Sequence, residues 1–84
     1  MITVLYFASI KEKLGLARES MELPSNVRDV NALATILRAR GELWVEALRA
    51  GHNLKVAVNQ SMTTLDAAIK DGDEIAFFPP VTGG

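Results

Sequence analysis

The chain has no cysteine. That excludes disulfides, thiolate metal sites, a cysteine nucleophile and a CxxC redox pair, so any sulfur it handles is not held on a thiol of its own. Histidine is nearly absent: His52 is the single copy, beside Gly51 and Asn53 in a stretch that reads as a surface loop. No run of lysine or arginine occurs and the formal net charge is −1, so neither nucleic acid nor an anionic membrane is an expected partner. The apolar stretches fall far short of the roughly 20 residues that span a bilayer. Met1-Ile2-Thr3-Val4 opens as a strand rather than a signal segment, and a cytoplasmic location is expected.

A self-contained catalytic constellation is missing as well. Ser9, Ser20, Ser25 and Ser61 have no base beside them in sequence. Gly15, Gly41, Gly51 and Gly72 stand singly, so no phosphate-cradling loop is visible. Asp71 and Asp73 flank Gly72, which reads as a strand-connecting turn; no ligand series accompanies it, and no metal site is expected.

What is present is one small core. Of 84 residues, 49% are hydrophobic, enough for a single domain. ITVLYFAS has the β-branched and aromatic content of a strand, with Ile2, Val4 and Tyr6 inward and Thr3, Leu5 and Phe7 outward. IKEKLG predicts a short helical turn stopped by Gly15, and ARESMEL a second strand paired to the first and ended by Pro24. Asp29 caps a helix whose apolar positions Val30, Leu33, Ala34 and Leu37 follow i, i+3, i+4, i+7; Gly41 terminates it. ELWVEALRAG predicts a shorter helix with Trp44, Ala47 and Leu48 on its core face, closed by Gly51. LKVAVNQ and EIAFF are further strands. The order predicts an α+β domain with helices on one face of a mixed sheet, which suits a β-grasp fold with the first and last strands side by side.

In EIAFF, Glu74 faces solvent, placing Ala76 and Phe78 outside and Ile75 and Phe77 in the core. Phe7 and Phe78 then lie near each other on the outer face, and Met62 can join them. An outward apolar patch of this kind is a partner-binding signature, unless a helix covers it. Beyond it the chain reads FFPPVTGG. Pro79 and Pro80 lack the N–H a strand needs and favour a stiff polyproline II extension. A tail over 79–84, following a domain over 1–78, reaches roughly 20 Å when extended. Val81 and Thr82 give a partner something to grip, and Gly83 and Gly84 have no Cβ to obstruct a narrow channel. Such a tail suits delivery of a terminal carboxylate into another protein's active site. A carboxylate needs activation, most simply as an acyl-adenylate, after which a sulfur donor can displace AMP to leave a thiocarboxylate; ligation to a lysine fits a diglycine end equally well.

Val58-Asn59-Gln60, the closing DGDEIAFFPPVTGG and the opening VLYFASIKEKLG together resemble the MoaD family, the small sulfur-carrier subunits of molybdopterin synthase. The resemblance runs the whole length, is weakest over residues 27–53, and implies a ubiquitin-like β-grasp fold. It implies that Gly84 is adenylated by a ubiquitin-activating-like adenylyltransferase using ATP, then converted to a thiocarboxylate by a sulfur donor protein. No tightly bound cofactor is implied for the chain itself. The tail then enters the large, catalytic subunit of a heterotetramer and gives sulfur to cyclic pyranopterin monophosphate, building the molybdopterin dithiolene. Phe7, Met62 and Phe78 match interface positions, with Pro79, Pro80, Val81 and Thr82 gripped by the partner and Gly83-Gly84 as the functional terminus. Lys11-Glu12 stands where family members often show Arg-Glu, and a lysine cannot reproduce a bidentate arginine contact. The competing readings are a carrier for thiamine or tRNA thiolation, a ubiquitin-like protein modifier, and a plain interaction module.

Overall fold

A computed structural model describes residues 1–49 and 54–79. The elements run β1 (Ile2–Tyr6), α1 (Ala8–Leu14), β2 (Arg18–Met21), α2 (Val30–Arg38), α3 (Glu42–Ala47), β3 (Lys55–Val58), β4 (Ser61–Thr63) and β5 (Glu74–Phe78). They form one sheet in the order β2-β1-β5-β3-β4. β1 and β5 pair in parallel, with Val4 opposite Ile75 and Tyr6 opposite Phe77, whereas the other neighbours pair antiparallel. A first and a last strand paired in parallel inside a mixed sheet is the β-grasp arrangement, and the domain is a ubiquitin-like α+β fold.

The core forms where the strand alternation meets the helical stripe. Ile2, Val4, Tyr6, Ile75 and Phe77 project from the central strands to the helical side and are essentially inaccessible. Val30, Leu33, Ala34 and Leu37 meet them from α2, and each is fully buried, as the 3.6-residue spacing requires. Asp29 caps that helix: its Oδ1 accepts from the Ala32 N–H at 2.8 Å. Gly15 ends α1 in the left-handed region (φ 66°), its N–H donating to the Lys11 carbonyl at 2.8 Å.

Gly41 acts otherwise than the sequence predicts. α2 is closed by Ala39, whose N–H reaches the Thr35 and Ile36 carbonyls, and Gly41 begins α3 as its N-cap at φ 148°. Only two residues separate Ala39 from α3's first residue, so the glycine's conformational freedom serves to redirect the chain between helices. Gly51 and His52 lie outside the described residues. Trp44 is half-buried rather than central: it meets Tyr6 edge-on, centroids 5.6 Å apart, and the Arg40 guanidinium sits 4.6 Å above its ring. Arg40 also grips Glu19 bidentately at 2.8 and 3.0 Å, and Glu19 accepts from the Tyr6 hydroxyl at 2.7 Å. The Arg40 hydrogen bond holds the Glu19 carboxyl below its usual range, whereas burial, and secondly Glu19, push the Tyr6 hydroxyl upward.

Asp71-Gly72 forms the expected turn, with Gly72 at φ 91°. No group of residues suited to a metal ion occurs among the described residues. Asp73 is buried, with 6% of its surface exposed, and works as a lock. Its carboxylate accepts from Asn59 Nδ2 at 3.0 Å and from the Lys70 N–H at 2.9 Å, bonds that hold its pKa below the ordinary value despite burial.

Candidate functional site

The helices pack on one face of the sheet, and the site is built on the other. Pairing aligns Leu5, Ala76, Ala57 and Met62 across four neighbouring strands. One step toward the ends of β1 and β5, Phe7 and Phe78 stack almost parallel, centroids 4.7 Å apart and planes 6° apart. Phe7 follows β1 directly and is still extended (φ −121°, ψ 155°); its N–H donates to the Phe77 carbonyl at 3.2 Å, carrying the parallel pairing one residue further. The alternation seen in the sequence therefore persists to the edge of the helix.

Together these side chains enclose a shallow depression of about 320 Å³. Ala57 and Ala76 are its floor, buried although they face away from the core. Phe7, Phe78 and Leu5 form one side, Met62 closes the far end, and Gln60 and Glu74 supply a polar rim. Phe7 is 40% exposed and Met62 64%, so two large apolar side chains stand in solvent beside an apolar floor. The helix packing that would have hidden this patch lies on the opposite side of the sheet among the described residues.

Met62 arrives there by a route the sequence did not signal. It sits on β4, a three-residue edge strand whose members are all exposed, opposite Ala57 of β3. Asn59 and Gln60 make the hairpin between the two strands. Asn59 holds the turn to β5: its N–H donates to the Glu74 carbonyl at 2.8 Å and its Oδ1 accepts from the Glu74 N–H at 3.0 Å. The sequence places Asn59 within a family-like motif without a role; a buried aspartate fourteen positions away from an asparagine is not a local signal.

Pro79 is half-buried where β5 ends, lining a second depression of about 290 Å³ with Ser9, Ile10 and Leu54. Pro80, Val81, Thr82, Gly83 and Gly84 lie outside the described residues. β5 therefore ends directly at the Phe7–Phe78 stack, with Pro79 next in the chain.

Comparison with known proteins gives this arrangement a context. Residues 4–84 match the ThiS family model. The chain is 43% identical over 84 residues, covering 100% of both chains, to the molybdopterin synthase sulfur carrier subunit of Haemophilus influenzae. Identity and coverage are the same for the protein of that name from Escherichia coli. Among solved structures, it is similar to the protein–protein complex of subunits 1 and 2 of molybdopterin-converting factor from Helicobacter pylori, with TM-score 0.64, 30% identity and coverage of 99% of this chain and 97% of that one. The chain belongs to the ThiS family, among the molybdopterin synthase sulfur carrier subunits.

Proposed function

We propose that this chain is the sulfur carrier of molybdopterin synthase and that Gly84 is its reacting terminus. The observation that carries the reading is the full-length match to sulfur carrier subunits, which runs through the diglycine end. The Gly84 carboxylate attacks the α-phosphate of ATP in the active site of a ubiquitin-activating-like partner, forming an acyl-adenylate and releasing pyrophosphate. A sulfur nucleophile delivered by a donor protein displaces AMP and leaves a thiocarboxylate on Gly84. That soft anion is nucleophilic at neutral pH, and its place at a chain end accounts for sulfur carriage by a protein without cysteine.

The charged carrier docks by its outer apolar face, with Phe7, Phe78 and Met62 against the large subunit. Pro79, Pro80, Val81 and Thr82 thread the diglycine into the catalytic pocket. The absence of Cβ atoms at Gly83 and Gly84 allows the backbone to approach the reacting centre closely. Sulfur passes to cyclic pyranopterin monophosphate, and two carriers complete one dithiolene. The chain is then not an enzyme by itself: it supplies a reactive group and an address, and the partner supplies catalysis. A complex of two subunits in a 30% identical relative supports such docking.

The test is reconstitution. The Gly84 thiocarboxylate form, mixed with the cognate large subunit and cyclic pyranopterin monophosphate, is expected to yield dithiolene-bearing pterin and carboxylate-form carrier. Failure of sulfur transfer to the pterin, with transfer to a thiazole precursor or a tRNA instead, would assign the chain to another thiolation pathway.

A further inference from the structure

Three described non-glycine residues have positive φ: Ala8 at 51°, Asn59 at 50° and Gln60 at 69°. Left-handed backbone is unfavourable for a side chain with a Cβ, least so for asparagine. Their locations are not scattered. Ala8 directly follows Phe7, and Asn59-Gln60 joins the strand bearing Ala57 to the strand bearing Met62. The strained positions thus flank the apolar depression on both sides, and strain concentrated around one surface is an observation from which function can be inferred.

Gln60 is the most informative of the three. A two-residue hairpin loop with both residues at positive φ is strongly biased to Asn-Gly. Here the first residue obeys the preference and the second does not. Glutamine persists because the turn is fixed from its first position: Asn59 is tied to Asp73 at 3.0 Å and twice to the Glu74 backbone, at 2.8 and 3.0 Å. Asp73 is itself buried and anchored by the Lys70 N–H. These bonds fix the first turn residue, and the pairing of Val58 with Ser61 closes the hairpin around Gln60, holding it in a conformation that glycine would adopt freely. What glycine could not supply is a side chain, and the exposed Gln60 lines the depression at its Glu74 end, two residues before Met62 and at the opposite end of β5 from Phe78.

We infer that Gln60 is a docking residue, kept at a position that favours glycine because its carboxamide hydrogen-bonds a polar group of the large subunit at the rim of the apolar contact. This rests on the docking reading given above. At a position whose only role was to make the turn, glycine would relieve the left-handed backbone, against a modest entropic cost, and would lose nothing in binding. A docking residue separates the two properties, since stability and binding then change in opposite directions.

The experiment measures thermal unfolding and affinity for the cognate large subunit on the full chain, for Gln60→Gly, Gln60→Ala, Met62→Ala and Phe78→Ala. Gln60→Gly is expected to unfold at a higher temperature than the parent and to bind about 3- to 10-fold more weakly, the effect of losing one interfacial hydrogen bond. Gln60→Ala, which keeps the strain and lacks the carboxamide, is expected to lose similar affinity without the gain in stability. Parental affinity in either Gln60 variant, or a lower unfolding temperature for Gln60→Gly, would overturn the assignment. Parental affinity in both Met62→Ala and Phe78→Ala would overturn the docking reading itself, and the role of Gln60 with it.

Discussion

At Phe78 the chain places an aromatic ring on the solvent side of a strand whose preceding residue, Phe77, is fully buried on the other side. Adjacent phenylalanines with opposite exposure have opposite expected consequences. Phe77→Ala removes a core ring and is expected to cost about 3–5 kcal/mol of stability. Phe78→Ala is expected to weaken binding to the large subunit by about tenfold or more, with a much smaller stability loss. Denaturant titration alongside calorimetric binding separates the two, and a large stability loss with intact affinity for Phe78→Ala would reverse the assignment. Asp73 makes a third expectation at this scale. Its carboxyl pKa is depressed, first by the Asn59 hydrogen bond, so the stability it contributes is complete above the unfolded carboxylate pKa of about 4 and disappears as pH falls through the lower folded value. Acid unfolding followed by circular dichroism is expected to be less steep in Asp73→Asn, since that variant has one fewer proton to take up. Equal steepness would show that Asp73 does not contribute to acid lability.

Among the elements, α2 is the one on which the core depends most. Leu33→Ala is expected to lower stability by about 2–5 kcal/mol, a large share of the whole for so small a domain, as checked by urea titration. The same helix shows what the sequence could reveal. Its stripe of Val30, Leu33, Ala34 and Leu37 and its Asp29 cap are short-range patterns, and each occupies the predicted place. The alternation in β1 and β5 was equally legible, and with it the meeting of Phe7 and Phe78 on the outer face. β4 was not. Ser61, Met62 and Thr63 show no apolar alternation because none of them is buried, and the strand exists by pairing with β3 after a turn that β5 holds in place. Gly41 was readable as a helix boundary but not as the start of α3 instead of the stop of α2, because glycine suits both ends and the spacing of the helices decides. Trp44 looked like core by its spacing; its edge-on contact with Tyr6 comes from a strand distant in sequence, and the cation over its ring is its near neighbour Arg40, four residues earlier.

At the scale of the whole molecule, the proposed function divides the labour between a folded body that identifies the carrier to partners and a short end that reacts. No charged cluster or internal catalytic group is needed for that division, and the absence of cysteine fits it. The reacting atom's position is then set by chain length. A variant with one residue added after Gly84 is expected to fold normally and bind the large subunit, yet to lose pterin conversion, because the carboxylate no longer lies where the adenylating and sulfur-transfer sites expect it. Activity assays beside a thermal melt check this, and a folded, extended variant that still converts pterin would contradict it. The most direct measurement is the intact mass of the chain after incubation with the adenylating partner, ATP and a sulfur donor, with the modified residue located by fragmentation. The account predicts a gain equal to replacement of one oxygen by sulfur, confined to Gly84. An unchanged mass under conditions that thiolate a known carrier, or Gly84 found joined to a lysine, would contradict it.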